Sequence, residues 1–189
     1  MMVNVKKNTE LILKELSINL GKVDGDQLNE FVELIPEAKK VFVAGAGRSG
    51  LAIRAFSNRM MHLGFDVSVV GDITTTSAHE GDLLIIGSGS GETQSLVAMA
   101  EKAKKNGVKI ALNTINPDST IGQMADVKFV LPGASPKVED EDLVGKSVQP
   151  MGSSYEQLSF LIYDAMIMAL MELVDETTDT MFPRHANLE

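Results

Sequence analysis

The sequence has no cysteine among its 189 residues, which removes disulfide frameworks and thiolate metal centres. It is also short of positive charge. Its 17 Lys and Arg against 26 Asp and Glu give a net charge of −9, the wrong sign for a general nucleic-acid binder with a basic face. Long apolar runs are missing as well. Residues 1–14 hold no segment of the kind a signal peptide needs. The longest apolar stretch, residues 158–173, is interrupted by Asp164 and Glu172 and is too short and polar for a bilayer span. No internal repeat or low-complexity tract is present. The expectation is a soluble, cytoplasmic protein with neither nucleic-acid nor membrane partners. An acidic chain can still hold an anion where backbone dipoles make a local site.

The remaining sequence is 44% hydrophobic, enough for a sizeable core, and its length suits one compact domain over residues 1–189. Apolar residues at helical spacing predict helices over 3–20 and 26–38. Short apolar runs then predict buried strands at 40–44, 67–70, 83–86, 108–112 and 127–131, with helices over 51–62, 93–105 and 119–125 between most of them. Strands alternating with helices imply an α/β chain: a three-layer α/β/α sandwich around a five-stranded parallel sheet. Residues 132–150 are polar and acidic, with Glu139, Asp140, Glu141 and Asp142, and read as a long surface loop or lid. A helix from 153 to 174 and a polar tail to 189 follow. The apolar positions of that helix surround most of its circumference, which fits burial in the core or in a subunit interface.

Two glycine-rich loops carry the chemistry. Gly45-Ala46-Gly47-Arg48-Ser49-Gly50 follows the first strand and matches G-x-G-x-x-G, and Asp72 lies near the place of a ribose-binding acid. A tight structural turn, a dinucleotide site and a phosphate-ester site all fit this loop. Gly87-Ser88-Gly89-Ser90-Gly91-Glu92-Thr93 follows the third strand and opens another helix. In a doubly wound sheet both loops flank the crevice beyond the carboxyl ends of the strands. Ser49, Ser88, Ser90 and Thr93 can then offer hydroxyls to one ligand, while helix-start amides and the helix dipole favour an anion. This set suits a phosphate monoester. The Lys of a triphosphate-binding P-loop is missing, and no Asp, His or Glu cluster points to Mg²⁺ or Zn²⁺. No cofactor is expected on the phosphate-ester reading. The alternatives are an NAD(P)-binding oxidoreductase and a non-catalytic phosphosugar sensor.

The run from Ser88 to Thr93 resembles the S-x-S-G-E-T signature of the sugar isomerase (SIS) domain family. The stretches at 43–50, 61–64, 149–152 and 184–189 are similar to 6-phospho-3-hexuloisomerases within it, and the likeness covers 42–189. It departs from the family pattern near Ser77, where a proline is expected. The resemblance implies a flavodoxin-like SIS fold and interconversion of D-arabino-hex-3-ulose 6-phosphate and D-fructose 6-phosphate through a cis-enediol or enediolate. It further implies the ribulose monophosphate route of formaldehyde assimilation or detoxification, a homotetramer, and 3-hexulose-6-phosphate synthase as metabolic partner.

Such an isomerisation needs a base beside the carbonyl, and a carboxylate suits it. Glu156 opens the last long helix. As part of Ser153-x-x-Glu156 it also fits a capping box, in which it would only bond its own helix start. The resemblance implies the base. Glu92 is the rival, with a place in the loop that suggests orientation of the loop or a helix start. Arg48 can bind the phosphate or face an acid. Asn113 could bound the crevice or form a turn. His62 reads as structural, and His79 is assigned no role. His185 lies in the tail, where the resemblance implies that it completes an active site, in its own or a neighbouring subunit.

Overall fold

The computed structural model describes residues 3–133 and 147–188. The elements run α1 (Val5–Leu20), α2 (Gly25–Glu37), β1 (Val41–Gly45), α3 (Gly47–His62), β2 (Val67–Val69), β3 (Leu83–Gly87), α4 (Gln94–Lys105), β4 (Lys109–Thr114), α5 (Thr120–Met124), β5 (Val127–Val130), α6 (Ser153–Leu173) and α7 (Thr178–Met181). A 3₁₀ turn, Phe182–Arg184, ends the described helical structure. The expected lid over 132–150 falls, for residues 134–146, outside the described residues.

The five strands form one parallel sheet in the order β2-β1-β3-β4-β5. Period-two alternation divides the core into two layers. Val41, Val43, Leu83, Ile85 and Ala111 face α2, α3 and α6, with Phe31, Phe56 and Tyr163 as the large fillers. Phe42, Ala44, Leu84, Ile86, Ile110 and Leu112 face α4 and α5. Both faces are therefore covered, which is why the strands read as unbroken apolar runs. From β1 the chain steps outward to β2, then returns past β1 to β3. The switch point therefore lies between β1 and β3, where ligands of such sheets bind.

One boundary differs instructively from the sequence expectation. The helix expected from residue 51 begins at Gly47, inside the glycine loop. Gly47 takes φ +57, and a Cβ on Gly45 would stand 2.9 Å from the Gly50 Cα. The strand end and helix start thus touch backbone to backbone, and Arg48 and Ser49 sit in the first helical turn. α6 keeps Leu158, Ile162, Tyr163, Met166 and Leu170 buried but exposes Phe160, Leu161 and Met168. Among the described residues no single helix is long and apolar enough to cross a membrane.

Candidate active site

A cleft of about 440 Å³ opens at the carboxyl ends of β1 and β3. The first residues of three helices line it: Gly47, Arg48 and Ser49 of α3, Thr93 at the start of α4, and Gly152, Ser153 and Glu156 around the start of α6. Three helix N-termini directed at one cavity give it unpaired amide donors and a positive dipole field despite the chain's acidic charge.

Gly87, Ser88, Gly89 and Ser90 form the cleft floor. The loop is pinned from below: the Ser88 amide donates to the Asn113 carbonyl at 3.0 Å, and the Ile115 amide to the Gly89 carbonyl at 3.0 Å. The Ser88 hydroxyl accepts from the Gly91 amide at 3.2 Å, and that of Ser90 from the Glu92 amide at 3.3 Å. Each oxygen is thereby held in place while its own O–H remains available to a ligand. The Thr93 side chain makes no capping bond at the start of α4, so its hydroxyl is likewise uncommitted there. Gly91 takes φ +64, and a Cβ there would overlap the Ser119 hydroxyl, so the turn admits only glycine.

Glu156 is the carboxylate in the cleft lining. The capping box is not formed: Ser153 is the first helical residue, Gly152 is the N-cap, and no side chain caps the helix. Instead Arg48 Nε lies 3.1 Å from Glu156 Oε2, and Arg48 Nη1 donates to Ser153 Oγ at 3.1 Å. The Glu156 side chain is 20% exposed against 58% for Arg48, so the acid is sheltered and its partner reaches toward solvent. Glu92, the rival base, is turned away. Its carboxylate accepts from the Thr120 amide at 2.6 Å and the Thr120 hydroxyl at 2.8 Å, bracing the loop against the start of α5.

Asn113 does not bound the crevice but supports it. It is fully buried, and its side-chain amide donates to Ser159 Oγ at 2.8 Å and to Tyr163 Oη at 3.0 Å. Tyr155 packs against Gly89 and donates its hydroxyl to the Asn113 carbonyl at 2.9 Å. Burial pushes the phenols of Tyr155 and Tyr163 far up, so both remain hydrogen-bond donors rather than acids or bases of the reaction.

The structure brings Arg48, Ser49, Ser88, Gly89, Ser90, Thr93 and Glu156 to one cleft, with Gly91 and Glu92 as its supports. His185 is not among them. It stacks on His62, at the opposite end of α3, and the 16 residues of that helix span about 24 Å. Asp72, the expected ribose-binding acid, is paired to Arg54 at 3.0 Å. His79 serves its own loop, its amide donating to Asp82 at 2.8 Å. The sequence reading missed Met151, Ser153 and Tyr155 as cleft residues. Met151 lies in the family-like stretch 149–152, but nothing local signals its conformation: it takes φ +55, rare for a non-glycine residue, at the cleft rim. Ser153 and Tyr155 were signalled by their nearness to Glu156. Among the described residues no group of three or more His, Asp or Glu side chains is placed to hold a metal ion.

The chain is similar to several known proteins. The SIS domain family model matches residues 34–161. A 3-hexulose-6-phosphate isomerase from Bacillus subtilis is 46% identical over 178 residues, covering 94% of this chain and 95% of that protein. One from Mycobacterium gastri is 39% identical and covers 98% and 92%. The crystal structure of a Methanococcus jannaschii protein, described as inferring a molecular function of 3-hexulose-6-phosphate isomerase, superposes with a TM-score of 0.80. It has 31% identity and covers 97% of this chain and 99% of that one.

Proposed function

The chain belongs to the SIS domain family, and we propose that it is an isomerase that interconverts D-arabino-hex-3-ulose 6-phosphate and D-fructose 6-phosphate. The observation that carries the reading is that Glu156, sheltered and the one carboxylate lining the cleft among the described residues, faces hydroxyl-rich loops at converging helix N-termini. The phosphate is held by Ser88, Ser90, Ser49 and Thr93 and by the amides of the loops, with Arg48 in reach. Anchoring the ester at carbon 6 extends the open-chain sugar toward Glu156. The Glu156 carboxylate takes the hydrogen from carbon 2, the electrons move to the carbon 3 oxygen, and a cis-enediolate forms. A proton passes between the two oxygens, and the proton returned to carbon 3 leaves the carbonyl on carbon 2. Arg48 orients the carboxylate and neutralises the charge that develops beside it.

Ring chemistry divides the labour. In the 3-hexulose the carbon 5 hydroxyl could close only a four-membered ring, so the substrate is open-chain. Fructose 6-phosphate closes to a furanose and must open. We assign that step to His185, supplied by a neighbouring subunit, since in its own chain it lies at the far end of α3. A homotetramer is the matching assembly. An apolar groove between α1, α3 and α6, with Leu13, Leu51, Phe160 and Leu161 exposed, supports it. In the cell the chain works in the cytoplasm, in the ribulose monophosphate route, on the product of 3-hexulose-6-phosphate synthase. The dinucleotide reading loses its motivation, because contact between Gly45 and Gly50 accounts for the glycine pattern and Arg54 occupies Asp72.

The test is fructose 6-phosphate formation by the purified chain from hex-3-ulose 6-phosphate, beside a nicotinamide-cofactor titration. Formation with no cofactor binding is expected. Cofactor binding without isomerisation would select the oxidoreductase, and phosphosugar binding without turnover the sensor.

A further inference from the structure

The far end of α3 holds a second polar cluster, built from the helix terminus and the tail. The Arg184 guanidinium lies across it. Nη1 donates to the His62 carbonyl, an unpaired helix-end acceptor, at 2.9 Å and to the Thr180 carbonyl at 3.3 Å, while Nη2 pairs with Glu176 Oε1 at 2.8 Å. Glu176 is itself fixed by the Thr180 hydroxyl. Gly64 takes φ +95, a conformation that favours glycine, and its backbone lies against the Arg184 guanidinium. A cation on the last turn of a 16-residue helix also meets the negative end of its dipole.

The next residue, His185, is seated by this arrangement. Its ring lies on that of His62, with centroids 5.2 Å apart and planes 18° from parallel, and on its other neighbour Phe182 at 6.2 Å. In each imidazole the partner fixes the role of Nδ1. Arg59 Nη1, which can only donate, lies 3.3 Å from His62 Nδ1, so that nitrogen carries the lone pair and His62 is neutral. His185 Nδ1 lies 3.1 Å from the Ala186 carbonyl, which can only accept, so Nδ1 carries a hydrogen and donates it there. The tail thus holds the His185 ring in one seat, with Nδ1 committed to its own backbone.

We infer that Arg184 is a positioning residue for the reaction: it clamps the tail to the end of α3 and so fixes the His185 ring on His62. The inference rests on the reading that His185 serves an active site. Arg184 touches no part of the cleft and acts through its neighbour alone.

The experiment compares Arg184→Ala, Arg184→Lys, His185→Ala and the Arg184→Ala/His185→Ala pair in the full chain. It measures kcat and KM from fructose 6-phosphate and the ring-proton shifts of His62. Arg184→Ala should lower kcat about 10–100-fold, the scale on which a displaced catalytic group is felt, with KM within about twofold of wild type. His62 should lose the shift that stacking imposes, as it does in His185→Ala. Arg184→Lys should recover part of the turnover, since a lysine keeps the charge at the helix end but not the fork. The double variant should be no slower than His185→Ala alone. Wild-type turnover in Arg184→Ala beside an impaired His185→Ala would overturn the inference and leave the His185 reading standing. Wild-type turnover in His185→Ala would remove both. Losses that add in the double variant would also overturn it, because Arg184 would then act elsewhere than through His185.

Discussion

The two ends of α3 are assembled by different means. At its start, two short loops and the first turn of α6 gather small residues: glycines that let backbones touch, and serines whose hydroxyls are held by loop amides and remain free to donate. At its end, imidazoles and guanidiniums from positions 122 residues apart interlock, and their polar groups largely satisfy one another. The first region is an open anion cradle beside the sheltered acid Glu156. The second is a closed clasp. A helix dipole contributes to both, with its positive end toward the proposed phosphate and its negative end toward Arg184.

The largest expected effect on that contrast comes from emptying the cradle. Ser88→Ala with Ser90→Ala should raise KM about 10–100-fold, because each hydroxyl donates to a charged acceptor. The melting temperature should change little, since the Gly91 amide keeps the Ser88 carbonyl as acceptor at 3.2 Å and the Glu92 amide is only part-buried. An unchanged KM would remove these hydroxyls from the site. Next, Gly45→Ala should destabilise the fold by about 1–3 kcal/mol, read by denaturant unfolding, because its Cβ meets the Gly50 backbone rather than a side chain that can yield. A neutral result would mean that the close approach is not what the glycines are for.

Smaller is the effect of Glu92→Ala. Loss of its two bonds to Thr120 should lower stability by about 0.5–1.5 kcal/mol and leave most of the turnover, which a base could not do. The smallest effect is on pH response, and it belongs to the clasp. Burial first, then Arg59 and His185, hold the His62 pKa below its ordinary 6.5. The docked tail therefore binds fewer protons than the free one. Above about pH 6.5 His62 is neutral in both and contributes nothing. Below it, protonation favours release, against the cations Arg59 and Arg184 and with Glu176 already committed to Arg184. Tail resonances followed by NMR should broaden as the pH falls from about 6.5 toward 5, and His62→Gln should abolish the response. A tail that stays docked to pH 5 would contradict this.

The same contrast sets what the sequence could tell. The layers, strand positions and cradle were legible because they rest on local signals: apolar runs four or five residues long, and glycine and serine at fixed spacing between a strand and a helix. The start of α3 was misplaced by four residues because Gly47 to Gly50 read as loop, whereas contact with Gly45 folds them into the first turn. Ser153-x-x-Glu156 carried a capping signal that Arg48 overrides, an interaction between residues 108 positions apart that no local pattern encodes. The clasp was invisible for the same reason. His62 reads as structural and Arg184 only as the first residue of the family-like tail, since their meeting depends on where the tail returns.

The central claim is that Glu156 moves a proton between neighbouring carbons of a phosphate-anchored sugar, without help from a cofactor or metal ion. Its most direct measurement follows hex-3-ulose 6-phosphate by NMR in deuterated buffer, after dialysis against a strong chelator, with the wild-type chain and with Glu156→Gln. The wild type should form fructose 6-phosphate carrying solvent deuterium at carbon 3, and Glu156→Gln should be slower by about 10²–10⁴-fold. Conversion at the wild-type rate by Glu156→Gln, or conversion that appears only when a divalent metal ion is restored, would contradict it.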